Sequence, residues 1–442
     1  MSMSEPLRLG IAGLGTVGAS VVQLVHRQSN ALAARCGRRI VVAAVSARDR
    51  TRDRGIDLSG VRWHDDPVAL AHDREVDVVV ELMGGTSGPA ERLVREALGA
   101  GKPVVTANKA LVAAEGLDLA RLAEANGATL GYEAAVAGGI PIIRTLREAL
   151  AGNSVTRVFG ILNGTCNYIL TRMEKEKLSF ETCLAEAQRL GYAEADPSFD
   201  VDGYDTAHKL AILTSLAFGT KVDAGKVYVE GITAITSADI EAAGELGYRI
   251  KLLGVARRTA TGLEQRVHPT MVPKSSAIAR VDGVLNAVAI SADAVGELVL
   301  SGAGAGGEAT ASSVLADIVD VARGSRLPAF GRPVDALDPY VQAEIETHEG
   351  GYYVRLSVFD RPGAFAAIAA RMAEHRISLE SIVQRGRAPS ADAPASPHPD
   401  EPQTVILVTY ATTEAEIRAA LAAVERDGNI AAPARLIRIE EL

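Results

Sequence analysis

The amino-acid sequence predicts an α/β chain of three units: a doubly wound parallel sheet, a mixed α/β unit, and a small βαββαβ unit. Three observations carry this reading. A glycine-rich turn, Gly13-Leu14-Gly15-Thr16-Val17-Gly18, lies between an apolar run and a helical stretch within the first twenty residues. Short apolar runs then alternate with helical stretches up to about residue 131, the order that builds a parallel sheet. From residue 351 the order becomes strand, helix, two strands, helix and strand. At 442 residues the chain has the length of two to four domains.

Residues 7–12 read as a short buried strand and 19–26 as a helix. The glycine pattern therefore stands in the strand–turn–helix context that a dinucleotide site requires. Its first glycine permits the turn, the second lets backbone approach a pyrophosphate, and the third lets helix and strand pack closely. Gly13, Gly15, Thr16, Val17 and Gly18 are thus candidate cofactor contacts in an N-terminal Rossmann unit. The second strand, 40–45, is followed by Ser46-Ala47-Arg48-Asp49-Arg50. An NAD-preferring fold usually ends this strand in an acid that bonds the ribose 2′-hydroxyl. Here arginines flank the single acid, so Arg48 favours a 2′-phosphate and hence NADP, while Asp49 keeps NAD open. An ordinary charged turn is the competing reading. Residues 76–85 and 102–109 each end an apolar run in glycine or polar residues, and open sheets bind ligands at such strand ends. Lys109 accordingly falls where nicotinamide and substrate should meet, although a solvated lysine fits the same pattern.

Residues 187–209 crowd Glu194, Asp196, Asp200, Asp202, Asp205 and Lys209 around a Gly/Pro-punctuated turn that runs into an Ala/Leu-rich helix. Asp205 and Lys209 are four apart and share a helix face. A lysine beside carboxylates can pass a proton while the acids hold a substrate ammonium group. A surface ion pair is the simpler reading of the spacing taken alone.

The order of motifs resembles that of homoserine dehydrogenase across the whole chain. The matching pieces are residues 13–18, 81–85, 106–109, 133–141, 160–167, 187–209, and 302–307 ahead of Thr310-Ala311-Ser312. The resemblance implies NAD(P)-dependent interconversion of L-aspartate 4-semialdehyde and L-homoserine, within threonine, methionine and isoleucine biosynthesis. It implies that Lys209 gives or takes the proton at the substrate hydroxyl, with Lys109 close by and sharing that task. Glu194 and Asp205 would bind the substrate through its ammonium group, and Gly191 and Gly306 would lie against the cofactor. It further implies a sodium ion in a loop matching Glu133, Val136, Gly138 and Ile140. Its ligands would be backbone carbonyls, which leave no side-chain signature in a sequence.

The expected organisation is a Rossmann domain over 1–131 completed by 308–326, and an α/β substrate and dimerisation domain over 132–307. A linker follows over 327–350, then a ferredoxin-like unit resembling an ACT domain over 351–442. Residues 386–403 are Pro/Ala/Ser-rich, cannot pack a core, and are expected to form a disordered insertion. The turn Asp360-Arg361-Pro362-Gly363 precedes a predicted helix whose free N–H groups suit an amino-acid carboxylate; the resemblance implies L-threonine as that effector. Strands shared between subunits would give a homodimer or homotetramer.

Composition narrows the alternatives. No apolar run approaches the ~20 residues of a membrane helix, and the first residues lack a signal-peptide pattern. Cys36, Cys166 and Cys183 have spacings that indicate neither a disulfide framework nor a zinc site, so a reducing cytoplasm is expected. A net charge of −9 and 4% aromatic residues argue against nucleic acid as a partner. Cys166 raises a rival, a semialdehyde dehydrogenase acting through a thioester. No histidine stands in a matching motif, however, and a small buried cysteine is the commoner case. A fusion with an aspartate kinase is disfavoured because the fingerprint begins by Leu9. A catalytically inert amino-acid sensor is opposed by the joint presence of Lys109, Glu194, Asp205 and Lys209.

Overall fold

The computed structural model describes residues 4–343, 348–385 and 402–440. Its first sheet has six parallel strands in the spatial order Arg62–Trp63, Arg38–Ser46, Ser4–Ala12, Val78–Glu81, Val104–Thr106 and Leu130–Gly131. This is the doubly wound order of dinucleotide-binding folds. Both faces of the sheet are covered, which is why its strands read as continuous apolar runs rather than alternating ones. On one face Leu9, Ile11, Val78 and Val80 pack with Val21 and Val22 of the helix Thr16–Arg27. The helix Gly307–Ala322 returns to the same core through Val314 and Ile318. A Cβ on Gly307 would fall 2.6 Å from Ser20 Oγ, so the close approach of these two helices depends on that glycine.

The second sheet runs without a break through the rest of the molecule. Its middle-unit strands lie in the order Gly296–Ala303, Leu285–Ala292, Val155–Ile161, Tyr248–Arg258 and Leu263–Pro273. The sheet then continues through Ile430–Ile439, Glu349–Phe359, Pro402–Thr409 and Leu379–Arg385. The join is a short parallel pairing of Thr270 with Arg438 and Met271 with Ile439. The last four strands, with helices Ala364–Glu374 and Glu414–Arg426 on one face, have a ferredoxin-like arrangement. Leu356, Ile368, Met372, Leu407, Ile417 and Leu421 form their core.

Three boundaries differ from expectation. The segment assigned as a linker, 327–350, is not a free connector: Ala329, Phe330, Val334 and Leu337 are buried, and Phe330 packs against Tyr132. The C-terminal unit begins with the strand at Glu349, two residues before 351. Of the insertion placed at 386–403, Pro402 and Gln403 instead open a strand and pair with Phe359 and Val358. Proline is tolerated there because it is the first residue of the strand. Residues 386–401 lie outside the described residues. No described helix is long and apolar enough to cross a membrane.

Candidate active site

The first parallel sheet ends in a set of polar anchors. Glu81 is fully buried and accepts hydrogen bonds from Thr106 Oγ1 at 2.7 Å and from the backbone N–H of Met83 at 2.7 Å. Asn108 caps the helix Lys109–Ala125 through Leu111 N, and its amide donates to Gly85 O at 2.7 Å. These bonds fix the strand-end loops and aim Lys109, the first helical residue, across the gap towards the middle unit.

From the other side, the helix Tyr204–Phe218 presents Asp205 in its first turn and Lys209 one turn later. Lys109 Nζ lies 2.7 Å from Asp205 Oδ1, and Lys209 Nζ lies 2.7 Å from Asp205 Oδ2. Lys209 also donates to Leu162 O at 2.7 Å. The i,i+4 pair is therefore not a surface ion pair, since Asp205 is 2% and Lys209 8% exposed. Lys109 is more open, its side chain 35% exposed.

Charge is distributed unevenly over this cluster. Burial alone would raise the Asp205 carboxyl, but Lys209 and Lys109 outweigh it and hold the group well below the usual carboxylate range. Burial lowers Lys209, and Asp205 offsets only part of that shift. Asp205 is thus a fixed anion, and Lys209 is an ammonium brought nearer to releasing its proton. Asn163 extends the cluster, its amide donating at 2.8 Å both to Asp205 Oδ2 and to Asp200 Oδ1. Thr165 donates to Asp200 Oδ2 at 3.1 Å, while burial and the neighbouring Asp205 raise the Asp200 carboxyl. Sequence reasoning assigned no role to Asn163, Thr165 or Asp200. The first two lie in a quoted motif and the third in the acidic segment, but no spacing rule shows that they converge.

The dinucleotide cradle fits its group. Gly13 has φ +97°, and a Cβ there would fall 2.5 Å from Leu82 O. Nothing lies within 4 Å of a Cβ built on Gly15, which leaves the N-terminus of the helix Thr16–Arg27 open to a phosphate. Gly306 precedes the helix that rests on Thr16 and Ser20, so it borders the same cradle. Arg48 is exposed. The loop after the second strand is shaped by a residue the sequence reading missed: Arg54 donates to Leu14 O at 3.0 Å and to Asp49 O. Arg50 and Arg54 each stand 5.8 Å from the centre of the Trp63 ring. The Asp49 carboxylate accepts from Thr51 N and Oγ1.

Other predicted residues stand apart. Glu194 and Gly191 are exposed, and no described side-chain contact brings either to the lysines. The Glu133 carboxylate is committed to Ile143 N at 2.8 Å and Arg144 N at 2.9 Å. In the same loop Gly138 O accepts from Ser313 Oγ and Ile140 O from Ile142 N, while Val136 is fully buried. Cys166 is buried at the start of the helix Gly164–Glu176, its thiol donating to Asp200 O, and burial raises it well above an ordinary thiol. A thiol held protonated is a poor nucleophile. Cys166→Ser is expected to retain most of the dehydrogenase activity, since serine can make the same bond. Loss of turnover together with an acyl-enzyme trapped at position 166 would restore the thioester rival.

A Rossmann cradle facing a buried lysine–carboxylate cluster defines a nicotinamide-dependent oxidoreductase. The family models agree: "Homoserine dehydrogenase, NAD binding domain" matches residues 13–133, and "Homoserine dehydrogenase" matches residues 141–319. The homoserine dehydrogenase of Pseudomonas aeruginosa is 45% identical over 99% of this chain and 100% of its own. That of Mycobacterium tuberculosis is 40% identical over 99% of this chain and 98% of its own. The crystal structure of a homoserine dehydrogenase from Thiobacillus denitrificans, 42% identical, superposes with a TM-score of 0.92 over 99% of each chain. A hyperthermophilic archaeal homoserine dehydrogenase in complex with NADPH, 28% identical, gives 0.61 over 71% of this chain and 97% of its own. The chain belongs to the homoserine dehydrogenase family and is an NAD(P)-dependent oxidoreductase that interconverts L-aspartate 4-semialdehyde and L-homoserine.

Proposed function

We propose that Lys209 handles the proton of this reaction, that Lys109 stabilises the developing alkoxide, and that Asp205 holds both lysines in place. The observation that carries this reading is the single buried carboxylate bridging two ammonium groups from opposite sides of the cleft. The bound nicotinamide supplies or accepts the hydride. In the reductive direction, negative charge then grows on the substrate's C4 oxygen, where a nearby ammonium both stabilises it and delivers a proton. In the oxidative direction the same lysine, neutral, takes the hydroxyl proton. The lowered Lys209 pKa supports both duties.

Substrate binding is assigned to Asp205 together with Glu194, the latter by family resemblance. Glu194 and Gly191 share the segment 190–204 with the exposed Tyr192, Phe199 and Tyr204. Movement of that segment towards Asp205 would bring an apolar rim and a carboxylate over a bound substrate.

NADP is the proposed preference. Asp49 is engaged within its own turn, which leaves the arginines at 48, 50 and 54 as the strongest charges near the expected ribose position. Homoserine oxidation measured with NAD and NADP in parallel tests both the activity and this preference. Arg48→Ala is expected to raise KM for NADP selectively, because a guanidinium matches a phosphate better than a hydroxyl. Equal effects on both cofactors would reduce Arg48 to a surface charge.

Sodium binding at the backbone of Glu133, Val136, Gly138 and Ile140 is proposed from the family resemblance. The described residues contain no cluster of three or more ligating side chains, and at least two of these four carbonyls already accept hydrogen bonds. A carbonyl has a second lone pair, so the backbone set can still hold a hard cation. The exposed Asp360–Gly363 turn ahead of the helix Ala364–Glu374 supports an ACT-type module with L-threonine as effector. A cytoplasmic homodimer or homotetramer completes the reading.

A further inference from the structure

The strand Val155–Ile161 ends beside the lysine cluster, and the corner that follows it grips the cluster with successive residues. Leu162 gives its carbonyl to Lys209 Nζ. Thr165 donates to Asp200 Oδ2, and the Cys166 thiol donates to Asp200 O. Between them stands Asn163, buried and extended at φ −125°, ψ 117°, as the cap of the helix Gly164–Glu176.

The Asn163 amide is engaged at both ends. Its Oδ1 accepts from Cys166 N at 2.8 Å, and because a backbone N–H can only donate, this bond fixes which end of the amide is oxygen. Nδ2 is thereby turned to two carboxylates, Asp205 Oδ2 and Asp200 Oδ1, each at 2.8 Å. The NH₂ group has two hydrogens, and each carboxylate takes one. Asp205 Oδ2 is also the oxygen that receives Lys209 Nζ, so the amide and the ammonium meet on one atom. Burial and the nearby Asp205 raise the Asp200 carboxyl, and the amide placed between the two acids works against that repulsion.

The corner is clamped from behind. A Cβ on Gly164 would fall 2.7 Å from Val284 O, so the chain can lie this close only as glycine. One turn further, Asn167 donates to Val281 O and Leu285 O, both at 3.1 Å, and the buried Lys251 holds Asn167 Oδ1 at 3.0 Å. Asn163 is therefore a fixed spacer, anchored to the helix start on one side and to both acids on the other.

We propose that Asn163 is a positioning residue of the dehydrogenase reaction: its single amide fixes Asp205 and Asp200 together and so sets the place from which Asp205 holds Lys209. This role rests on the assignment of the proton to Lys209. Four groups bear on that lysine: Asp205 from its own helix, Lys109 from the Rossmann unit, Asp200 from the short helix Ser198–Val201, and the protonated Cys166 from the capped helix. His208 stands on the same helix and feels both Asp205 and Lys109.

The test uses the fact that Asn, Asp and Ser cap helices about equally well, while only Asn carries an NH₂ group. Asn163→Ser and Asn163→Asp both keep an acceptor for Cys166 N, so a residue that merely caps the helix would give wild-type turnover in both. A positioning residue gives a kcat for homoserine oxidation lower by at least about tenfold in both, within the range that a misplaced catalytic group costs. KM for the dinucleotide should stay unchanged, since its cradle lies on the other unit, and a thermal melt confirms folding. In Asn163→Asp the acid limb of the pH–rate profile should also move to higher pH, because a carboxylate added beside Lys209 raises that lysine. Asn163→Ser adds no charge and so isolates the geometry. Turnover near the wild-type rate in Asn163→Ser overturns the proposal. So does an early melt with a raised dinucleotide KM, which would reduce Asn163 to a structural cap, or an acid limb that stays in place in Asn163→Asp while Asp205→Asn moves it. If neither variant moves the limb, the Lys209 assignment falls, and the kcat of Asn163→Ser alone decides the role of Asn163.

Discussion

Lys209→Ala is expected to lower kcat by at least ~100-fold in both directions, the usual scale for a lost general acid or base, while the protein stays folded. The side chain is 8% exposed and, among the described residues, hydrogen-bonds to Asp205 and Leu162 O alone, so its loss removes a proton carrier without removing a large apolar contact. Asp205 keeps Lys109 as counter-ion, which protects the fold from an unpaired buried anion. Steady-state kinetics on the purified variant, with a thermal melt as the control for folding, check this. A variant that melts normally and turns over near the wild-type rate would move the proton to Lys109.

Asp205→Asn should be as damaging to kcat/KM and more informative. It removes the only carboxylate among the described residues that touches both lysines, leaving Lys209 buried without its counter-ion. A buried pair broken on one side typically costs ~3–5 kcal/mol, unless the remaining group sheds its charge. Lysine can do so. Asp205 is the largest influence raising the Lys209 pKa, so its removal lowers that pKa further. The sign follows directly. In homoserine oxidation the base must be neutral, and the acid limb of the pH–rate profile should move to lower pH. In semialdehyde reduction the acid must be protonated, and the basic limb should also move to lower pH. Limbs that stay in place would mean that Lys209 is not the titrating group.

Much of the fold could be read along the chain because local patterns set it. Gly13 to Gly18 between a strand and a helix, and buried strands such as Val78–Glu81, carry their signal in adjacent residues. The Asp205–Lys209 pair was visible for the same reason, as one helical turn. Its burial was not visible, nor was the partner Lys109 nearly a hundred residues earlier in the chain. Asn163 and Asp200 meet Asp205 only after two helices and a strand have packed, and such meetings leave no periodicity to read. The short pairing of Thr270 with Arg438 is equally silent in sequence, which is why a linker and a separate module were expected where a continuous sheet is found. Arg54 was passed over because the loop after the second strand was read for charge, whereas this side chain serves as a bracket between Leu14 O and Asp49 O.

That continuous sheet changes what the C-terminal quarter is to the enzyme. Arg266, 1% exposed in the middle unit, has Glu440 of the last strand as a partner, and Arg157 reaches the same carboxylate at 2.6 Å. Arg438, also 1% exposed, answers with Glu230 at 2.9 Å. A cut at Gly350 would therefore not release a detachable sensor. It would unpair the edge of Leu263–Pro273 at Thr270 and Met271 and leave Arg157 and Arg266 without Glu440, a liability for stability. With main-chain pairing and buried ion pairs joining them, the two units are expected to melt in a single transition in calorimetry.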